Sequence, residues 1–307
     1  MLIGLCSVKG SPGVTTTAVA LAMRWPGAEP ILLEADPAGG DLGTRFGLAS
    51  LPGLGSLAAA ARRSDDPAQL AEHCQTLPGG PPVVVGPVGA EQAQAMLAML
   101  AGRGAQLLRA VAADPNVVVL LDAGRVQPGS PTVWLLRGAS AVLVLARPRA
   151  EDLAHVTGVL RVVPTWTRCP GLVLIGGGYS PAEVERELGI PALATLPDDP
   201  RGADVLCGRP GTRGVHRCAL GQAAARLAGQ ILTQLHARAG GHNGAPPEPG
   251  AADAAARGPA PRESSAETPK GDTSASTVVD LTVAATHPAG RQRLRVVDTG
   301  SAGTGSR

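Results

Sequence analysis

Apolar residues in this chain gather into short, unbroken and often β-branched runs. They are LIGLCSV at 2–8, PILLEAD at 30–36, PVVVG at 82–86, VVVLLDAG at 117–124, AVLVLARP at 141–148, LVLIGGG at 172–178 and ALATLPDD at 192–199. Runs that do not alternate with polar residues predict strands covered on both faces. Helical spacing fills the intervals at 14–24, 91–113, 150–163, 181–188 and 220–238, and in the last of these Leu220, Leu227, Ile231 and Leu235 form one stripe. Strand and helix alternate, so the expected fold is α/β, a mostly parallel sheet with helices on both faces. No internal period repeats, which excludes a solenoid.

Ligands of such sheets sit beyond the carboxyl ends of the strands. The residues with chemistry fall there: Lys9 to Thr16 after the first run, Asp36 at the end of the second, Asp122 at the end of the fourth, and Arg147 and Asp198 after two more. Asp41, Asp198, Asp199 and Asp204 read as turn and cap residues.

Composition divides the chain. Past Arg238 it becomes Gly, Pro, Ala, Ser and Thr with scattered charges, as in AGGHNGAPPEPGAADAAARGPAP. Such a stretch cannot bury enough apolar surface to offset its chain entropy, so a globular domain is expected at 1–238 and a disordered tail at 239–307. Within the tail, TVVDLTVAA and RQRLRVV read either as docking segments or as more solvated chain. The globular part holds 20 Lys and Arg against 18 Asp and Glu, and the tail seven of each. Net charge therefore gives no footprint for nucleic acid, and only a local arginine patch would leave DNA open as a partner. Five cysteines with no CxxC pair read as reduced thiols, and the histidines form no metal motif. With no signal-peptide pattern and no run long enough to span a membrane, the expected location is the cytoplasm, with no membrane association.

The stretch SVKGSPGVTTTA carries the most information. A glycine turn between a strand and a helix presents successive backbone N–H groups to an anion, and the helix start adds a favourable dipole. Gly10, Gly13 and the hydroxyls of Thr15, Thr16 and Thr17 supply that layout, echoed by acidic residues at later strand ends.

On these motifs the chain resembles the ParA/MinD family of P-loop ATPases, whose deviant Walker A motif reads KGGxGK[ST]. Lys9 matches the signature lysine, Gly10 and Gly13 match glycines, Ser11 replaces a glycine, and Val14 stands where the second lysine is usual. The resemblance implies a P-loop NTPase of SIMIBI-like architecture that binds ATP and Mg²⁺. It puts Thr15 on the Mg²⁺-binding hydroxyl, Thr16 on a neighbouring phosphate contact, and Asp122, in VVVLLDAG, on the Walker B carboxylate that reaches Mg²⁺ through water. In ILLEADPAGGDL it gives Asp36 the role of orienting the attacking water, with Glu34 where another aspartate is common. Lys9, the only lysine before Lys270, would reach the phosphates of a partner in a nucleotide-sandwich homodimer. Where the family often reads adenine with an asparagine, this chain has Gly176 to Gly178.

Val14 bears on turnover. A lysine there would hold phosphate oxygens and offset transition-state charge, work that valine cannot do. Hydrolysis is expected to be slow or absent unless another cation substitutes, and Arg125, Arg147 and Arg149 stand at strand ends as candidates. Two functions follow. One is an ATP-binding dimer switch that positions or partitions a cargo such as DNA, a division component, or secretion or pilus machinery. The other is a catalytically inactive pseudo-ATPase that serves as an interaction scaffold. An enzyme transferring a group from ATP to a small molecule fits less well, because no substrate-side set of acids, bases or nucleophiles is visible.

Overall fold

The computed structural model describes residues 1–207 and 214–240. The tail at 239–307, with the TVVDLTVAA and RQRLRVV runs, therefore lies almost wholly outside the described residues. Strands β1 (Leu2–Ser7), β2 (Glu29–Glu34), β3 (Gln75–Thr76), β4 (Pro82–Val84), β5 (Val117–Arg125), β6 (Ala141–Ala146), β7 (Pro170–Ile175) and β8 (Ala192–Leu196) form one sheet. Its order is β3-β4-β2-β5-β1-β6-β7-β8, with only the β3–β4 pair antiparallel. The expected mostly parallel α/β sheet is thus present. β1 lies at its centre, and the chain leaves it toward β2 on one side and later reaches β6 on the other.

Both faces of the sheet are buried, which explains why the strands read as unbroken apolar runs. Leu2 and Cys6 of β1 and Val119, Leu121 and Ala123 of β5 face one layer, together with helices α3 (Leu54–Ala61), α5 (Ala90–Leu100), α6 (Arg103–Ala112), α7 (Thr132–Leu136), α8 (Ala150–Leu160) and α9 (Pro181–Leu188). Ile3 and Leu5 of β1 and Val118 and Leu120 of β5 face the other, built on α1 (Val14–Arg24), α10 (Pro200–Leu206) and α11 (Ala219–Gly240). The α11 stripe behaves as expected: Leu220, Leu227 and Ile231 are buried and Leu235 packs against them. Among the described residues no helix is long and apolar enough to cross a membrane.

The structure departs from the periodicity in two ways. The single helix expected at 91–113 is two, α5 and α6, because Gly102 adopts a non-helical conformation between them. Short elements also escape the pattern: β3, α4 (Gln69–Glu72), α7, α10 and α2 (Leu42–Phe46). Each of these is shorter than the window over which a hydrophobic period shows itself.

Candidate functional site

The site lies where β1 hands over to α1. After Ser7 the chain turns through the glycine-containing loop and enters α1 at Gly13, whose φ of 96° is a left-handed conformation that side-chain-bearing residues avoid. The first helical hydrogen bond runs from the Thr17 N–H to the Gly13 carbonyl at 2.9 Å. Gly13 offers no capping side chain, and the first turn holds no acidic residue. The N–H groups of Val14, Thr15 and Thr16 thus have no partner within the helix, and its positive end is left unneutralised.

That end opens into a cleft of about 130 Å³. Gly10, Ser11, Gly13, Thr15 and Thr16 line it from the loop, Asp36 from the end of β2, and Gly124 and Arg125 from the end of β5. Three separate stretches of the chain thereby meet in one place. Three expected residues stand apart, and one of them, Asp122, is fully buried and not in the wall. Lys9 is exposed, makes no ion pair among the described residues and is not in the wall. Val14 borders the cleft but is only 6% exposed, its side chain packed with Ala18 and Leu21 in the apolar layer beneath α1.

Asp122 is the most unusual group of the site. It is fully buried; one oxygen accepts the Gly124 N–H at 3.1 Å and the other, Oδ2, has no hydrogen-bond partner among the described residues. Burial pushes its carboxyl up to about 7, and the nearby charges of Glu34 and Asp36 add to the rise, while the Thr15 hydroxyl and the Gly124 N–H oppose it. Asp36 is raised by partial burial, although the Ala38 N–H donates to its Oδ1 at 2.7 Å. Gly124 explains how Asp36 comes so close to β5: its φ is +55°, and a Cβ there would lie 1.9 Å from the Asp36 carboxyl. Only glycine admits the carboxylate at this spot.

Glu34 has a different role from its neighbours. Its Oε1 accepts the N–H groups of Asp41 and Leu42 at 2.6 and 2.9 Å, and its Oε2 accepts that of Gly86 at 2.8 Å. The side chain fastens the start of α2 and the loop after β4 to the sheet and presents nothing to the cleft.

A hard divalent cation suits the Asp122 corner. Such ions take carboxylate, hydroxyl and water oxygens, and a buried carboxylate with one oxygen left unpartnered, near the Thr15 hydroxyl, is a donor set of that kind. No group of three or more His, Cys, Asp or Glu side chains among the described residues could hold a metal alone. A cation here would complete its shell from water and from the oxygens of an anionic ligand.

A second cleft of about 140 Å³ adjoins the first across Ser11, Gly13 and Thr16. Ile175, Leu196 and Pro197 give it apolar walls, and Arg147 and Asp198 face one another there at 3.8 Å. Asp199 closes it: its side chain accepts the N–H groups of Gly202 and Leu220, capping α10 and tying down the start of α11. The cap expected of Asp199 is thus observed, whereas Asp41 makes no cap bond and instead pairs with Arg45. On the opposite flank, Arg125 also borders a polar cleft of about 270 Å³ formed by Pro37, Ala38, Gln94 and residues 127–131. Arg149 lines none of these clefts.

Sequence reasoning did not foresee Arg45. The residue lies on α2, and its Nη1 comes within 3.5 Å of the Thr16 hydroxyl at the mouth of the first cleft. The one hint was its i,i+4 spacing from Asp41; nothing local reveals that α2 folds back against the loop.

No protein-family profile matches the chain, and no curated protein matches its sequence. Solved structures do. A ParA family ATPase from Chlorobium tepidum superposes with a TM-score of 0.61 at 16% identity, covering 74% of this chain and 98% of that one. The cell division ATPase MinD of Pyrococcus furiosus gives 0.59 at 19% identity over 76% and 98%. The septum site-determining protein MinD of Pyrococcus horikoshii, complexed with Mg-ADP, gives 0.58 at 17% over 75% and 95%. By overall superposition, this chain has the fold of the ParA and MinD ATPases.

Proposed function

We propose that this protein is a nucleotide-dependent switch that binds ATP with Mg²⁺ in the loop cleft and dimerises in the bound state. The observation that carries the reading is the buried, half-unpartnered Asp122 carboxylate beneath an uncapped helix N-terminus. A negative group and a positive helix end a few residues apart suit a ligand that brings its own cation and its own anion together. The loop amides and the hydroxyls of Thr15 and Thr16 would hold phosphate oxygens. Thr15 and Asp122 would hold Mg²⁺, whose charge draws electron density from the phosphates it contacts. Asp36, kept close to the β5 end by Gly124, would orient a water molecule. The apolar second cleft suits a nucleobase, and no asparagine lines it.

Lys9, exposed and uncommitted at the loop tip, is suited to act on a second copy rather than on its own cleft. This supports the homodimer reading, with a cargo or adaptor as the downstream partner. The solved neighbour bound to Mg-ADP lends weight to the choice of ligand.

A second reading has its own observation. Val14 buries its side chain in the core and puts no charge near the phosphates, as expected of a pseudo-ATPase that keeps the fold as a scaffold. Titration calorimetry of the full chain with Mg²⁺·ATP, run beside light scattering, separates the two. Binding that promotes a dimer and loses the dimer in Lys9→Ala supports the switch. Absence of any binding leaves the scaffold.

A further inference from the structure

The loop cleft has a positive helix end but lacks the charge that a lysine at position 14 would give it. A triphosphate carries several negative charges, and Mg²⁺ neutralises only part of them. A second built-in cation would therefore matter, and Arg45 is placed to be it.

Three observations converge on Arg45. First, its guanidinium lies in the wall of the cleft, with Nη1 3.5 Å from the Thr16 hydroxyl and 4.0 Å from the Cys207 sulfur. Both contacts are long for hydrogen bonds, so Nη1 is near the loop without being committed to it. Second, the remaining firm contact is Nη2 to the Asp41 carboxylate at 2.8 Å, and Asp41 is 66% exposed. An ion pair that open to water is worth about 0.3–0.5 kcal/mol, and a phosphate is a stronger acceptor for the same fork of donors. Third, the element carrying Arg45 is anchored: Glu34, fully engaged with the N–H groups of Asp41 and Leu42, fixes the start of α2 beside the loop. The side chain is positioned by buried structure, while its donors stay free to turn.

Arg125 is the competing cation. It is exposed, borders the cleft on the Asp36 side and opens equally onto the polar cleft beyond it. Its charge acts on Asp36. Arg45, not Arg125, stands against the N-terminus of α1.

We infer that Arg45 supplies from α2 the phosphate-binding charge that the loop lacks at Val14, leaving Asp41 to grip the phosphates when nucleotide enters. The inference rests on the nucleotide-binding reading above and adds to it the residue that strengthens binding where position 14 carries no lysine.

The test is calorimetric titration of the full chain with Mg²⁺·ATP and Mg²⁺·ADP, with thermal melts in the absence of nucleotide. Wild type, Arg45→Ala, Arg45→Lys and the double variant Val14→Lys with Arg45→Ala are compared. Loss of a charge-assisted phosphate contact should weaken binding about 10- to 100-fold in Arg45→Ala while leaving the nucleotide-free melt nearly unchanged. Arg45→Lys should fall between, and Val14→Lys should restore a large part of the loss in the double variant. The inference alone is overturned if wild type binds and Arg45→Ala binds equally well. It is also overturned if the loss comes with a lowered nucleotide-free melt and Arg45→Lys does not recover it, which marks a structural role. A wild-type chain that binds neither nucleotide removes the underlying reading and this inference together.

Discussion

Glu34, at the end of β2, and Asp122, within β5, stand directly opposite one another in the sheet, and both side chains are all but excluded from water. Their surroundings differ. Glu34 is wrapped in N–H donors from Asp41, Leu42 and Gly86, so its oxygens are satisfied by the fold itself. Asp122 receives one N–H and keeps an oxygen with nothing to bond. Burying a carboxylate is costly unless every oxygen is partnered. A completed environment marks a residue used to build the site, and an incomplete one marks a residue waiting for a ligand.

The largest effect should come from the completed member. Glu34→Ala would strand the buried Leu42 N–H and the part-buried N–H groups of Asp41 and Gly86 at once. At about 1–3 kcal/mol for each such group, partly relieved by water entering the gap, the loss should be on the order of 3–5 kcal/mol of folding stability. Chemical denaturation would measure it, with or without Mg²⁺·ATP. Glu34→Gln keeps an acceptor but turns an amide toward a donor, so it should fall between. If both variants fold as stably as wild type while nucleotide binding is lost, Glu34 belongs to the ligand and the contrast collapses.

The incomplete member should respond with the opposite sign. The Asp122 carboxyl titrates near 7 in the folded chain against 3.8 for an ordinary aspartate, so the folded state binds the proton more tightly than the unfolded state. Stability from this group is fully present below about pH 4 and is lost as the pH rises through about 7. Glu34 and Asp36 are raised as well and push the same way. Asp122→Asn cannot ionise, so the ligand-free variant should be more stable than wild type by about 2–4 kcal/mol at about pH 8 and nearly equal to it at about pH 4. It should also lose any dependence of nucleotide affinity on Mg²⁺. Melts across pH in a chelator, followed by titrations with and without Mg²⁺, check both halves.

This contrast also shows what the sequence could and could not reveal. Unbroken apolar runs identified the parallel sheet because burial on both faces leaves a periodic trace, and Asp36 and Asp122 stood out as acids closing such runs. Lys9 to Thr16 were legible because a glycine turn between strand and helix is local. Glu34 was visible only as an acid beside these, since its partners lie 7, 8 and 52 residues away. Arg45 was illegible for the same reason, its contact with Thr16 spanning 29 residues. Function encoded in neighbouring residues can be read from a chain; function assembled by a crossover has to be seen folded.

A smaller perturbation moves Asp36 while keeping the backbone N–H that Asp122 accepts from Gly124. In Gly124→Ala the new Cβ would collide with the Asp36 carboxyl, and φ of +55° adds strain. A cost of about 1–3 kcal/mol is expected. Affinity for Mg²⁺·ADP should change little, because Asp122 and the loop stay in place, whereas any turnover of ATP should fall further than affinity. Comparing ADP titration with phosphate release separates the two.

The smallest effect on stability is expected at Asp41, whose backbone N–H serves Glu34 and whose carboxylate, among the described residues, pairs with Arg45. Asp41→Ala keeps the backbone donor, so the Glu34 cage survives, and removing an exposed i,i+4 ion pair should cost about 0.5 kcal/mol or less. Binding should move the other way. The substitution takes a negative charge out of the cleft wall and frees the Arg45 fork, so Mg²⁺·ADP affinity should rise about two- to fivefold and lose that gain at high salt. A fall in affinity would show that Asp41 itself contacts the ligand or its cation. In that event the division between acids that build the site and acids that serve the ligand would have to be redrawn along α2.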